Sequence, residues 1–203
     1  PWRANRYGST DWVTGTGDPM IEVKYALPVP FAASFGLATE IPLGNADLIA
    51  VDQEDPSRQF ILPTGDGEWN YLATLAISHS LDPEPAYIQG FVQYNKRTAY
   101  QGLDFQDQMR YGLEIGYRFG DNLWINGAIR GQSLVGERDG PIGDFTRGDG
   151  TTFNQFHLGA SWAVWRNLSL TFDYENFGSW FEERRNMYSG PLFIFGVALQ
   201  PRE

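Results

Sequence analysis

Apolar and polar residues alternate along this chain with a period of two. Between Asp107 and Gly120, the residues Met109, Tyr111, Leu113, Ile115, Tyr117 and Phe119 occupy every second position, and Arg110, Gly112, Glu114, Gly116 and Arg118 fill the positions between them. Successive side chains of a strand point to opposite faces, so this spacing builds a strand with one apolar wall and one polar or glycine wall. A helix would mix the two sets around its circumference. The alternation recurs in nine segments, near 18–27, 31–42, 67–82, 86–97, 107–120, 122–134, 152–165, 167–178 and 188–200. Most exceed the usual 5 or 6 residues of strands in globular proteins. Alternating segments of about 10 residues are what a tilted strand needs to cross a bilayer.

The connectors fall into two alternating classes. Pro28-Val29-Pro30, Asp82-Pro83-Glu84-Pro85, Gly120-Asp121-Asn122 and Arg166-Asn167 are short and rich in residues suited to tight turns. Gly44 to Asp66, Thr98 to Gln106, Val135 to Thr151 and Ser179 to Met187 are long and polar. Pairing across each short turn predicts the register. Leu27 against Phe31 sets Val23 opposite Phe35, with Glu22 and Lys24 opposite Gly36 and Ser34; Leu81 against Ala86 sets Leu75 opposite Val92. Phe119 against Leu123 sets Ile115 opposite Gly127 and Gly112 opposite Arg130. Val164 against Leu168 sets Ala160 opposite Phe172 and His157 opposite Glu175. The apolar faces coincide in all four hairpins, and a slip of one residue would destroy each match.

Periodicity alone permits the apolar face to point inward, as in a soluble barrel, or outward. Three features favour outward: the strand lengths, the short-then-long connectors of outer-membrane barrels, and Tyr and Trp near strand ends, as in interfacial girdles. Those aromatics are Tyr25, Trp69, Tyr71, Tyr94, Tyr117, Trp162, Trp165, Tyr174 and Trp180. The other face carries Glu22, Lys24, Glu40, Arg97, Arg110, Glu114, Arg118, Arg130, His157, Asp173 and Glu175, the candidate lumen-lining residues. With the short turns periplasmic, 18–27 runs downward and residues 1–17 form a loop ahead of it. Barrels of this kind begin in the periplasm with an even strand number, which predicts at least one further strand before Pro1. The expectation is an all-β, antiparallel up-and-down transmembrane barrel, one domain over 1–203 with strands and loops over 18–200.

Composition narrows the function. The 203 residues include no Cys, which excludes a disulfide scaffold, a thiolate metal site and a Cys nucleophile. A net charge of −10 argues against nucleic acid as a partner. Aromatic content of 15 % and apolar content of 42 % argue against disorder. No run of about 18 apolar residues could form a transmembrane helix. The chain begins at Pro1 without Met or a leader pattern, as a processed or truncated chain does.

Several stretches together resemble a known family. Leu62-Pro63-Thr64-Gly65 is followed by Gly67-Glu68-Trp69-Asn70-Tyr71 leading a strand and then a Pro-bearing turn. Val92 to Arg97, Met109 to Arg118 and Asp121 to Arg130 add to it, and Gly15-Thr16-Gly17-Asp18 precedes a strand. This set resembles the outer-membrane β-barrel family named for the meta-pathway of phenol degradation, whose members are described as transporter-like barrels. The resemblance covers most of residues 15–135 and the rest more loosely. It implies further strands before Gly15 and about 12 in the complete barrel. One departure is the C-terminus, Leu199-Gln200-Pro201-Arg202-Glu203, where such barrels commonly end on an aromatic; either the assembly signal is internal, near Phe193 and Phe195, or insertion depends on something else.

Candidate chemistry is sparse. The mixed charges of the polar face either line a solute path or neutralise one another in a plugged interior, Arg110, Glu114, Arg118 and Arg130 doing so across neighbouring strands. His157, Asp173, Glu175 and Ser161 share a face, but Ser161 lies about 13 Å along the strand from His157, too far for a nucleophile and its base. His79 falls on the apolar face near a turn. The loop 137–151, with Asp139, Asp144 and Asp149 among glycines, departs from EF-hand spacing. Glu182-Glu183-Arg184-Arg185 reads as an exposed tip whose arginines could pair with lipopolysaccharide phosphates. No cofactor, metal or catalytic motif is indicated. The expected role is a bacterial outer-membrane barrel, in outer-membrane lipid and lipopolysaccharide, for passive passage or binding of a small solute, hydrophobic and aromatic molecules included, gated by loops 44–66 and 135–151. The alternatives are an anchoring barrel with envelope protein partners and a soluble ligand-binding barrel.

Overall fold

A computed structural model describes residues 2–6, 9–51, 55, 57, 59–136, 149–181, 183–185 and 190–199. Thirteen strands run in chain order: Trp2–Arg6 (β1), Ser9–Val13 (β2), Met20–Ala26 (β3), Ala32–Glu40 (β4), Ile49–Val51 (β5), Gln59–Ile61 (β6), Asn70–Ser80 (β7), Ala86–Arg97 (β8), Asp107–Phe119 (β9), Leu123–Val135 (β10), Phe153–Trp165 (β11), Leu168–Gly178 (β12) and Leu192–Leu199 (β13). Nine of them form one antiparallel up-and-down sheet in the order β3-β4-β7-β8-β9-β10-β11-β12-β13. These are the nine segments that the alternation predicts, most of them trimmed at their ends, with β8 keeping its predicted bounds and β10 running one residue further, to Val135. Among the described residues the sheet is open, with β3 and β13 at its edges.

Two stretches expected as loop contain strand. Trp2–Arg6 and Ser9–Val13 pair as a hairpin within the 1–17 segment, and Ile49–Val51 pairs with Gln59–Ile61 inside the 44–66 connector. These strands are short, and 44–66 mixes turn residues with apolar ones, so neither stretch carries a long alternating signal.

Three of the four predicted registers are observed: Leu75 faces Val92, Gly112 faces Arg130, and Ala160 faces Phe172. The β3–β4 register differs by two residues. Val23 faces Leu37 rather than Phe35, and Lys24 rather than Glu22 faces Gly36. Pro28 and Pro30 have no N–H to close a tight turn, and the hairpin closes instead through the Leu27 N–H to the Ala33 carbonyl, 2.9 Å. A shift of two keeps every side chain on its predicted face. At the β9–β10 turn, Gly120 takes a positive φ of 59°, a conformation that glycine adopts without the Cβ penalty.

The glycines of β9 have a different reason. Gly112 and Gly116 face Phe91 and Tyr87 across the ladder, and a Cβ at either would overlap the opposing ring. The two rings occupy the space that the glycines leave, which locks β8 to β9 on the polar face.

The two faces differ sharply in exposure. Val23, Val92, Ile115 and Phe195, all on the apolar face, are 72, 51, 54 and 78 % exposed. Asn70, Asn95, Gln108, Gln132 and His157, on the polar face, are buried. The sheet thus exposes its apolar face and buries a row of polar side chains on the other, the reverse of the usual arrangement in a soluble protein.

Candidate functional site on the polar face

At the end of the sheet bearing the long connectors, loops are pinned by one carboxylate. Asp18 of Gly15-Thr16-Gly17-Asp18 accepts hydrogen bonds from the backbone N–H groups of Gly44 and Asp66, both at 2.7 Å. The Thr16 hydroxyl donates to the Leu43 carbonyl at 3.1 Å, and Thr64 exchanges two bonds with the Asn45 backbone, at 2.9 and 3.0 Å. The segments Gly15–Asp18 and Leu62–Gly65, far apart in sequence, therefore meet. Their meeting delivers Asp66 and Glu68 to the start of β7.

Glu68 and Arg97 form a buried salt bridge through Oε1 and Nε, with side chains 0 and 3 % exposed. The Arg97 guanidinium also lies over the Phe105 ring, 4.7 Å from its centroid. The second oxygen of Glu68, Oε2, is buried without a hydrogen-bond partner. Burial pushes the Glu68 carboxyl up to about 7; the Arg97 charge opposes the rise, and nearby Asp66 and Asp149 add to it.

Next to this pair a row of amides crosses four strands, β7 to β10, and ends on Glu40 of β4. Asn70 donates to Glu40 Oε2 at 3.1 Å, and Asn95 donates to Asn70 Oδ1 at 3.1 Å and to Gln108 Oε1 at 3.4 Å. Arg110 donates from Nε to Gln132 at 2.9 Å, from Nη2 to Gln108 at 3.1 Å and from Nη1 to Gln93 at 3.5 Å. Gln132 in turn donates to the Thr151 carbonyl at 2.9 Å. These groups enclose a pocket of about 160 Å³ lined by Glu40, Asp66, Asn70, Asn95, Arg110 and Gln132, among others. The Asn95 Oδ1 acceptor is buried and has no hydrogen-bond partner.

Toward the short-turn end Glu114 is a hub. It accepts from the Tyr87 hydroxyl at 2.7 Å, from Gln89 at 2.8 Å and from Arg130 at 3.4 Å. A wider cavity of about 570 Å³ opens here, floored by small residues such as Ser34, Gly36, Thr74 and Ala76, with Phe91 and Lys24 among its walls.

All eleven predicted polar-face residues lie on one face of the sheet by register. The mutual neutralisation envisaged for the four central charges holds only for Glu114 and Arg130. Arg110 is held by amides, and Arg118 sits over the Trp124 ring at 5.8 Å. Glu22 and Lys24 pair with each other at 3.1 Å on the edge strand. His157 faces Glu175 in the ladder, but its Nε2 bonds Asp173 at 2.9 Å, while Glu175 accepts from Gln155 at 2.7 Å. Glycine at 159 leaves the space in which Asp173 Oδ1 and the His157 ring converge. His157 Nδ1 is buried with no hydrogen-bond partner.

The apolar face carries its aromatics in two bands. Trp69, Tyr71, Tyr94, Tyr174 and Trp180 lie toward the long connectors, and Tyr25, Tyr117, Trp162 and Trp165 toward the short turns. Trp69 stacks on Tyr71, their centroids 6.3 Å apart at 10°. His79 is exposed on the same face. Loop residues 137–148 and Glu182 lie outside the described residues. Arg185 is tied to Glu183 at 2.7 Å, and Arg184 reaches the Phe177 carbonyl at 3.3 Å. Among the described residues, no three His, Asp or Glu side chains are grouped to hold a metal.

Charge was the sequence criterion, so the neutral members of the site escaped it. Asn70, Asn95, Gln108 and Gln132 sit on the polar phase of their alternating segments, and polar amides at four successive strand ends were the available signal. Glu68 and Asp18 stand just ahead of their strands, where alternation singles out no residue; their one sequence signal was membership of the stretches Gly67–Tyr71 and Gly15–Asp18. No family model matches the chain, and no curated protein matches it.

Proposed function

We propose that this chain is the wall of a bacterial outer-membrane β-barrel whose polar face passes or binds a small solute. The observation that carries this reading is the exposed apolar face bounded by two aromatic bands, set against a polar face that buries a row of polar side chains, Asn70, Asn95, Gln108, Gln132 and His157 among them. Its height fits a bilayer. Tyr71 pairs with Lys96, whose ammonium reaches Asp107, and Tyr117 lies ten residues further along β9. Ten residues span about 33 Å of strand, or about 25 Å at a tilt of about 40°, which matches the apolar band of outer-membrane barrels. The resemblance to the phenol-degradation barrel family agrees with it.

The 570 Å³ cavity, with small residues on its floor and Phe91 in its wall, suits a small and partly apolar solute, aromatic molecules included. An anchoring barrel with envelope protein partners would use the same outer face and leave the cavity idle. A soluble ligand-binding barrel would need the apolar side chains inside, and their exposure counts against it.

The test is fractionation of the full-length gene product, with boiled and unboiled samples compared on a gel. An outer-membrane band whose mobility changes on boiling supports the reading. A soluble product with no mobility change refutes it.

A further inference from the structure

We infer that the 160 Å³ pocket at the long-connector end is a subsite for a small zwitterion of amino-acid size, its carboxylate on Arg110 and its ammonium on Glu40. This deepens the solute-binding reading and rests on it only for the path by which a solute arrives.

Arg110 carries the first half. A guanidinium has five N–H donors, and amide oxygens of Gln132, Gln108 and Gln93 take one each from Nε, Nη2 and Nη1. One N–H therefore remains on each terminal nitrogen, a pair that suits the two oxygens of a carboxylate. Among the described residues, Arg110 has no carboxylate within ion-pair distance; three neutral amides fix its position, and Glu40 and Asp66 act on its charge only from beyond contact.

Glu40 carries the second half. Its carboxylate accepts one hydrogen bond, from the neutral Asn70 amide, and no cation pairs with it among the described residues. Both charges line the same pocket from strands three spacings apart, about 14 Å at the backbone. The pocket that both line has a volume of about 160 Å³. Between them stands Asn95, whose orphan Oδ1 offers a buried acceptor to an ammonium or hydroxyl.

Volume sets the size of the ligand. At about 30 Å³ per water, the pocket holds about five waters, and so a solute of about five or six heavy atoms. That is the scale of L-alanine. A solute with one charge would satisfy one end and leave the other charge without a partner, which disfavours simple carboxylates and amines.

The experiment is titration calorimetry on the full-length protein in detergent micelles with L-alanine, propionate and ethylamine as probes. L-alanine is expected to bind the wild type, and propionate and ethylamine to bind at least tenfold more weakly. Arg110→Gln and Glu40→Gln should each weaken L-alanine at least tenfold. The wild type failing to bind L-alanine, or both variants binding it as the wild type does, would overturn the inference. Should Arg110→Gln lose the folded gel band, Glu40→Gln decides by the same criterion. A heat-modifiable barrel that ignores L-alanine sinks this inference and spares the membrane reading; a soluble chain that binds it through Glu40 does the reverse.

Discussion

Removing Glu68 leaves the Arg97 guanidinium buried beside a hole. Both partners are almost wholly inaccessible, 0 and 3 % exposed, so solvent screening does not soften the loss. Truncating one member of a buried pair costs about 3–5 kcal/mol, because the surviving charge keeps its desolvation penalty without its partner. Phe105, 4.7 Å beneath the guanidinium, returns a fraction of that. Glu68→Ala should therefore destabilise the folded protein by about 3–4 kcal/mol. The internal control is Glu22→Ala, which breaks a pair whose lysine is 62 % exposed; such pairs are worth about 0–1 kcal/mol. Replacing Glu68 and Arg97 together by Leu and Met should recover most of the loss, since no charge is then left stranded. The assay is urea unfolding of the refolded full-length protein at pH 8, followed by tryptophan fluorescence, with all three variants and the wild type in parallel. If Glu68→Ala and Glu22→Ala shift the curve equally, the buried pair is not a stabilising element and the reasoning fails.

Three further outcomes follow from the same structure. The Glu68 carboxyl is raised to about 7 from an ordinary 4.5, so its contribution to stability is full below pH 4.5, declines as pH rises to about 7 and is flat above. The wild-type minus Glu68→Gln difference in unfolding free energy should therefore fall by about 3 kcal/mol between pH 4.5 and 7, and parallel profiles would contradict it. Gly112→Ala places a Cβ against the Phe91 ring and should destabilise by about 1–3 kcal/mol, with much of the loss restored by adding Phe91→Ala; urea unfolding of the two variants reads both. Asp18→Ala strands the Gly44 and Asp66 N–H groups; limited proteolysis should then cut the 41–69 connector at least several-fold faster while strands β7 to β12 stay protected.

The strands were legible because their signal is long and local. Eleven to thirteen alternating residues, as in β7 to β12, leave little room for misassignment, and parity kept the faces right even where Pro28 and Pro30 moved the β3–β4 register by two. The hairpins β1–β2 and β5–β6 were not legible, because three to five residues cannot establish a period. Nor does alternation say which face is exposed. That depends on packing across strands, to which Gly112 and Gly116 contribute by admitting the Phe91 and Tyr87 rings on the polar side. The site was half legible. Its charges could be read from the strands, whereas the partners that each charge takes depend on diagonal neighbours: Asp173 rather than Glu175 for His157, and amides rather than Glu114 for Arg110.

That last difference separates two kinds of charge on one face. Arg97 is closed, its guanidinium engaged by a carboxylate buried with it. Arg110 is open, oriented by Gln93, Gln108 and Gln132 but not neutralised by them. Substitution should separate the two roles. Arg97→Gln strands the Glu68 carboxylate and should destabilise by about 3–5 kcal/mol. Arg110→Gln removes a charge that no carboxylate meets among the described residues, and its amide can still donate to one of the three oxygens. The loss should stay near 1–2 kcal/mol, that of one or two hydrogen bonds. Urea unfolding of the two variants side by side reads this directly. Equal losses would mean that Arg110 is as structural as Arg97, and its charge would no longer be available to a solute.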